Sequence, residues 1–395
     1  MRDLSVEDAR ARILADAARL GTETVNLDAA RGRTLAEPVT AVRDQPPFDA
    51  SAMDGWAVCG PGTDFAIVGE SAAGRSYLQS LSPGEAVRIF TGAPVPKGAD
   101  RIVIQENARR SGERVVVPAD SGGEDLIRPC GGDFRAGQAL LTAGVRLDAW
   151  RIGLAAAAGR GALAVARRPD VVILSTGEEL AAAGTAAGPD QIFDSGGPSS
   201  AALIEAWGGA PRRLAAAGDD ADAIAGAVQF AGGDLILTIG GASVGDHDLV
   251  KPAMTKLGLE LAVETVKVRP GKPTWFGRLA DGRRVLGLPG NPASALVCAE
   301  LFLRPLLMAL QGADPALKLA TARLARPLSP NGPREHWMRA RLTIADGALI
   351  AEPMSDQDSS LVSVFAGSSG LLRRSPGALA AEAGSVVDVL LLERL

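Results

Sequence analysis

The rhythm of apolar and polar positions changes three times along the chain. From residue 5 to 20 it has a helical period: Val6, Ala9, Ile13, Leu14, Ala17 and Leu20 share a face, Ser5 can cap the start, and Gly21 can stop it. The stretch from Thr34 to Asp44 reads as extended. Between residues 45 and 140 the pattern becomes short β-prone runs, at Phe65 to Val68, Ala86 to Phe90, Arg101 to Ile104 and Val115 to Val117, separated by Pro and Gly clusters. A helix is expected from about Asp148 to Ala158, bringing the chain back towards the first helix.

From Arg168 strands and helices alternate. Strands are predicted at Val171 to Leu174, Leu235 to Ile239 and Val285 to Leu288. Helices are predicted at Pro198 to Trp207, Asp220 to Phe230, from near Asp248 to about Leu257, and from Pro292 to Leu310. That alternation is the mark of an open α/β domain with a parallel sheet. After Ala313 short apolar segments alternate with Gly and Pro again. The expected organisation is multidomain α/β plus β. Residues 1–44 and 141–167 form a discontinuous linking domain, 45–140 an inserted β domain, 168–314 the α/β domain and 315–395 a C-terminal β domain.

Composition narrows the function. The 395 residues exceed one ordinary core, and 47% apolar content is ample for several. A net charge of −5 with no basic tail argues against nucleic acid as partner, and 4% aromatics leaves few rings for stacking on bases. Cys59, Cys130 and Cys298 are odd in number and far apart, which predicts a reduced, cytoplasmic setting rather than disulfides or zinc. No signal-peptide core opens the chain, and its apolar runs are broken short of a membrane span, so no membrane association is expected. Six lysines occur, and Lys251, Lys256, Lys267 and Lys272 fall in one interval, consistent with chance or with an anion nearby.

In an open α/β sheet, ligands bind beyond the carboxyl ends of the strands. Those ends carry Ser175-Thr176-Gly177-Glu178-Glu179, the glycine turn Gly240 to Asp248, and Pro289-Gly290-Asn291-Pro292. A strand, a glycine turn and a helix start make an anion cradle from backbone N–H groups. The turn also spells G-x-S-x-G, with Ser243 where a serine hydrolase has its nucleophile. A triad needs a histidine. His247 is only four residues on, and His336 lies in a Pro-rich junction, so the cradle reading is favoured. Asp219, Asp220, Asp248 and Asn291 all stand where helices begin and read first as caps. Asp54, Asp133, Glu179, Asp194, Asp220 and Asp248 would suit Mg²⁺ if they converged. Arg269 and Lys272, on a Pro-Gly turn, suit an oxyanion; Val266 and Pro273 rule out a P-loop there.

Six segments together resemble the molybdopterin molybdenumtransferase family, the MoeA type, shared with the C-terminal domain of gephyrin. They are PPFDASAMDGWA (46–57), TGAPVPKGAD (91–100), STGEEL (175–180), GGASVGDHD (240–248), RPGKP (269–273) and GLPGNPAS (287–294). The resemblance implies an elongated linking domain, an inserted β domain, a molybdopterin-binding α/β domain and a C-terminal barrel-like β domain. It implies a homodimer whose cleft is shared between subunits. It implies insertion of molybdate into adenylylated molybdopterin, with release of AMP and help from Mg²⁺, as the last step of molybdenum cofactor synthesis.

Carried over by motif, Asp54, Thr91, Asp133, Glu179, Asp220 (or Asp219), Asp248 and Lys272 take catalytic positions. Glu179, Asp220 and Asp248 would be the metal ligands. Ser175, Thr176, Gly240, Gly241, Ser243, Gly245, Arg269, Pro289, Gly290, Asn291 and Pro292 take substrate-binding positions. The molybdopterin-adenylylating protein and molybdoenzymes are compatible protein partners. The chain departs from the family at Gly196 (commonly Asn), Ile239 (a hydroxyl residue), Gly132 (Glu) and Trp56 (Tyr). These departures leave room for a paralogue or a non-catalytic molybdopterin-binding scaffold beside the enzyme; a serine hydrolase using Ser243 ranks lower.

Overall fold

A computed structural model describes residues 1–119, 121, 126–215, 220–241 and 249–392. Its first helix, Val6–Leu14, starts as the sequence dictates. The Ser5 hydroxyl accepts the Asp8 backbone N–H, and Val6, Ala9 and Ile13 are buried. The helix does not reach Gly21. Past Leu14 tertiary bonds take over: Leu20 N–H donates to Leu310 O at 2.9 Å, and the Arg19 guanidinium donates to Ala36 O at 2.8 Å. Ala17 and Leu20 keep their place against the core without being helical.

That first helix packs on Glu260–Val263 and on the long helix near Leu310. The return of the chain is made by strands instead: Thr22–Asn26 pairs antiparallel with Ala162–Ala166, and Val39–Thr40 with Ala139–Leu141. The expected helix Ala149–Ala157 is present, with the Asp148 carboxylate accepting the Arg151 N–H. Leu35, Val39, Phe134, Leu147, Ala155 and Val165 form a separate core there.

The intervening segment is a six-stranded sheet, ordered Arg101–Ile104, Gly55–Val58, Glu85–Ile89, Asp64–Ser71, Arg114–Val116 and Arg109–Ser111. Gly55–Val58, which follows a loop-like stretch without a strand pattern of its own, is fully buried between two neighbours. A Cβ on Gly55 would lie 2.0 Å from Val103 O, so the close strand approach requires the glycine that disguises the strand.

The α/β sheet has four parallel strands, ordered Ala210–Arg213, Asp170–Ser175, Leu235–Ile239 and Arg284–Leu288. Trp275–Arg278 and Glu260–Val263 extend it antiparallel. The three central strands are almost wholly buried, which explains their unbroken apolar runs. The helix expected from Pro198 starts at Gly196 and runs to Ala206. The long helix Pro292–Leu310 is apolar and long enough to cross a membrane, yet 83% of its most apolar window is buried inside this fold. It is the central core helix, packed among Ile204, Leu288, Trp337 and Leu371.

The C-terminal region is a closed five-stranded barrel. Around the ring run Leu319–Leu324, Val386–Leu391, Gly370–Arg374, Glu335–Ala345 and Ala348–Pro353, which pairs back with the first. In the longest strand Ala340 and Leu342 fill the barrel, while Trp337 joins the core of the α/β domain. That alternation brings one barrel face against the α/β domain.

Candidate functional site

The three parallel strands end side by side, and their hydrogen bonding continues into the loops. Thr176 N–H donates to Ile239 O at 3.0 Å, and Gly240 N–H to Leu288 O at 3.2 Å. Gly240, at φ +92°, is the meeting point: a Cβ there would lie 2.5 Å from Thr176 O, and Gly290 lies against the Gly240 Cα. Gly241, at φ +55°, has no room beside Val250. Both glycines are demanded by backbone conformation and by close packing.

Beyond these ends lies a cavity of about 910 Å³. Thr176, Glu179, Gly240, Gly241, Pro289, Gly290, Asn291 and Pro292 line it, as their placement at carboxyl ends predicts. Ser175 sits one residue deeper and donates to Asp194 Oδ2 at 3.1 Å. The Thr176 hydroxyl is buried with no hydrogen-bond partner among the described residues. A buried hydroxyl left unpaired at a cavity wall is one that a ligand can satisfy.

Other wall residues escape a reading of the sequence. Ile192 and Phe193 form a short exposed strand paired with Leu180–Ala181; two residues give no periodic signal. Asp194 stands in the sequence only as one of several scattered carboxylates. In the structure it is also the anchor of the helix start, accepting the Gly197 N–H at 2.9 Å, with Arg213 at 3.8 Å. Ser360 and Val362 come from the barrel region and close the far side.

Two expected caps resolve differently. Asp220 is a cap: its Oδ1 accepts the N–H groups of Asp222 and Ala223 at 2.8 and 3.3 Å, and it does not line the cavity. Asn291 holds the N-cap position with no side-chain cap bond. Its amide donates instead to Ser359 Oγ at 2.9 Å, tying the 289–292 loop to the barrel region.

Arg269 and Lys272 are exposed on a turn beside the cavity, which Pro273 lines. The turn sits on Cys298 of the long helix. A Cβ on Gly271 would lie 2.1 Å from Cys298 Sγ, and burial pushes the pKa of that thiol up to about 12. The rest of the lysine interval serves other ends: the Lys251 ammonium lies 6.0 Å from the Trp275 ring centre, and Lys256 pairs with Asp222 at 2.6 Å.

A basic group that sequence reasoning misses stands on the barrel face. Arg339 is fully buried, and its Nη2 donates to Asp358 O at 2.8 Å. Its Nε and Nη1 have no partner among the described residues. Burial lowers its pKa, with Arg269 adding to the fall while Asp356 and Asp358 oppose it. The only signal in the sequence is a charge inside a β-prone run, Met338 to Leu342. The pKa of His336, three residues before it, is brought down to about 4 by burial and then by Arg269, Arg339 and further arginines. It is a neutral, buried ring among cations rather than a triad base.

Asp54, Thr91 and Asp133 lie in the N-terminal half and none of them lines the cavity. Asp54 Oδ1 accepts both the Thr91 N–H at 2.7 Å and the Thr91 hydroxyl at 2.8 Å. These bonds lower its pKa. Asp133 is exposed, and its N–H donates to Gln45 O at 2.9 Å. Asp219, Ser243, Gly245, His247 and Asp248 lie outside the described residues.

Comparison with known proteins bears on the whole length. Residues 4–159 match the MoeA N-terminal region (domain I and II), 172–309 a probable molybdopterin binding domain, and 321–392 the MoeA C-terminal region (domain IV). A molybdopterin molybdenumtransferase of Nostoc is 35% identical over 82% of this chain and 78% of its own. The chain belongs to the molybdopterin molybdenumtransferase family. Molybdopterin molybdenumtransferase 2 of Mycobacterium tuberculosis is 40% identical over 83% of this chain and 85% of its own. The Bacillus subtilis member is 32% identical, covering 94% and 90%. A molybdopterin biosynthesis MoeA protein from Pyrococcus horikosii superposes with a TM-score of 0.81 at 27% identity, covering 99% of each chain. Membership in a transferase family displaces the serine-hydrolase alternative.

Proposed function

We propose that this molybdenumtransferase uses the cavity at the sheet's carboxyl edge to insert molybdate into adenylylated molybdopterin, releasing AMP. The observation that carries the reading is the meeting of three strand-end loops around Gly240, at a cavity whose wall holds a hydroxyl and a carboxylate with no partner among the described residues. The glycine turn presents backbone to the phosphate and the Thr176 hydroxyl satisfies a polar edge of the pterin.

Molybdate is a dianion and needs cations. Arg269 and Lys272 supply them at the cavity edge. Arg339, beside the segment that carries Ser360, does not line the cavity as it stands; its Nε and Nη1, buried and unpartnered among the described residues, would reach an oxyanion only if the barrel-side segment shifts. A buried Arg with unpaired N–H groups is costly by itself, so a bound anion removes that cost. Ser359, tied to Asn291, keeps the barrel region in register with the phosphate side.

Mg²⁺ fits the donor set only in part. Among the described residues no group of three or more His, Cys, Asp or Glu gathers. Mg²⁺ asks for one or two carboxylates plus phosphate oxygens and water. Glu179 meets that: its carboxylate is exposed on the cavity lip and makes no hydrogen bond among the described residues. Asp220 is engaged as a cap by one oxygen. Mg²⁺ held by Glu179 and Asp248 would neutralise charge on the phosphoanhydride. The chain itself needs no activated nucleophile; it positions two anionic reactants and screens their repulsion.

We also place the protein in the cytoplasm as a homodimer. The ordered Asp54–Thr91 pair and Asp133 do not line this cavity, and a second copy would bring them to its open side. The domain division at residues 44, 140, 167 and 314 belongs to the same reading, and the molybdopterin-adenylylating protein is the natural supplier of substrate. Purified protein given adenylylated molybdopterin, molybdate and Mg²⁺ should release AMP, and a chelator should abolish the release. Folded protein that releases none would overturn the reading.

A further inference from the structure

Two wall residues of the cavity, Ile239 and Gly196, compete for one space. Ile239 ends the strand Leu235–Ile239 and is 4% exposed. Its backbone is fixed on both sides, by Ser175 and by Leu288. Gly196 is the first residue of the helix Gly196–Ala206 and is buried. Its φ is not among the positive values, so backbone conformation does not ask for glycine there. Space does. A Cβ on Gly196 would lie 2.9 Å from Ile239 Cγ2 and 3.5 Å from its Cδ1. Isoleucine is stiff at χ1, and turning it away from one contact swings the other arm in.

We propose that Ile239 and Gly196 form a single specificity element in the substrate pocket. The isoleucine fills the volume that any side chain at 196 would take, and the pair makes this stretch of wall apolar. The polar side chains of the wall, among them Thr176, Glu179, Asp194 and Asn291, lie around this apolar stretch. The ligand that fits presents an apolar ring face or edge to Ile239. The inference rests on the reading that the cavity holds the pterin of the substrate.

Four proteins test it: wild type, G196A, I239A and the double variant; alanine at 239 removes both Cγ2 and Cδ1, the atoms that face position 196. Alanine is the better helix former, so backbone propensity alone predicts that G196A raises Tm. The interlock predicts the reverse in the wild-type background, where Ile239 is present, and a rise in the I239A background. G196A should raise KM for adenylylated molybdopterin about tenfold or more with kcat changed far less in the wild-type background, and should change KM little in the I239A background. I239A alone should raise KM by about tenfold or more, since three buried carbons leave the wall. An equal effect of G196A in both backgrounds, on Tm and on KM, overturns the proposal. The Tm arm needs no substrate. Turnover without coupling therefore overturns the pair and keeps the transferase reading, whereas coupling in Tm without turnover keeps the interlock and overturns its role as a specificity element.

Discussion

The cavity at the sheet's carboxyl edge and the Asp54–Thr91 pair in the N-terminal half are opposite kinds of acidic site. At the cavity, Glu179 makes no side-chain hydrogen bond among the described residues and stands on a wall of glycines, apolar groups and a few polar side chains such as Thr176 and Asp194. In the N-terminal half Asp54 is held by two hydrogen bonds from one threonine, on a surface that forms no part of the cavity. One region offers a cavity with a charge unengaged among the described residues; the other offers a fixed charge away from that cavity. A carboxylate held in its ionised form, with its pKa depressed, is arranged to act on something brought to it. In the proposed homodimer the two regions would be halves of one cleft, contributed by different copies.

The comparison breaks most visibly at Glu179. E179Q keeps size and removes the charge, and should lower kcat by about two to three orders of magnitude, the range for one group that stabilises developing charge. A loss under about tenfold would remove Glu179 from the chemistry. Next is Arg339. R339A should raise KM for molybdate by about ten- to a hundredfold while KM for adenylylated molybdopterin changes little, consistent with a charge-assisted bond to the oxyanion. Equal changes in both constants would assign Arg339 to the fold instead.

T91V removes one of the two bonds that depress the Asp54 pKa. The acid limb of the kcat/KM profile should move to higher pH, with the plateau lowered a few-fold at most. An unmoved limb would show that Asp54 does not titrate in turnover. The smallest effect is on stability. His336 has a folded pKa of about 4 against an ordinary 6.5. The unfolded chain therefore binds the proton first on acidification. The stability from a neutral His336 is complete above about pH 6.5 and falls as pH drops from there towards 4. H336Q should flatten Tm across that window, and an unchanged slope would assign the acid sensitivity elsewhere.

Much of the fold is written in local patterns. The buried apolar strands Asp170–Ser175, Leu235–Ile239 and Arg284–Leu288, and the caps at Ser5 and Asp220, follow from periodicity and side-chain chemistry alone. The loops at the strand ends are legible because glycine and proline mark them. What escapes is set by distant partners. Gly55–Val58 hides behind its glycine, since the close neighbour that requires Gly55 is Val103. Asn291 looks like a cap until Ser359, 68 residues on, takes its amide. Arg339 comes to lie buried beside Asp358 only when the barrel closes. No local pattern encodes such meetings; they arise from topology.

The claim that two copies build the cleft is tested most directly by mixing two defective chains. D54A and E179Q homodimers should each be inactive. Co-expressed with different tags, they should form heterodimers in which one cleft keeps both carboxylates. With random pairing, about a quarter of wild-type AMP release should return, all of it in the doubly tagged fraction. A doubly tagged heterodimer as inactive as its parents would place both carboxylates in a cleft within one chain and contradict the account.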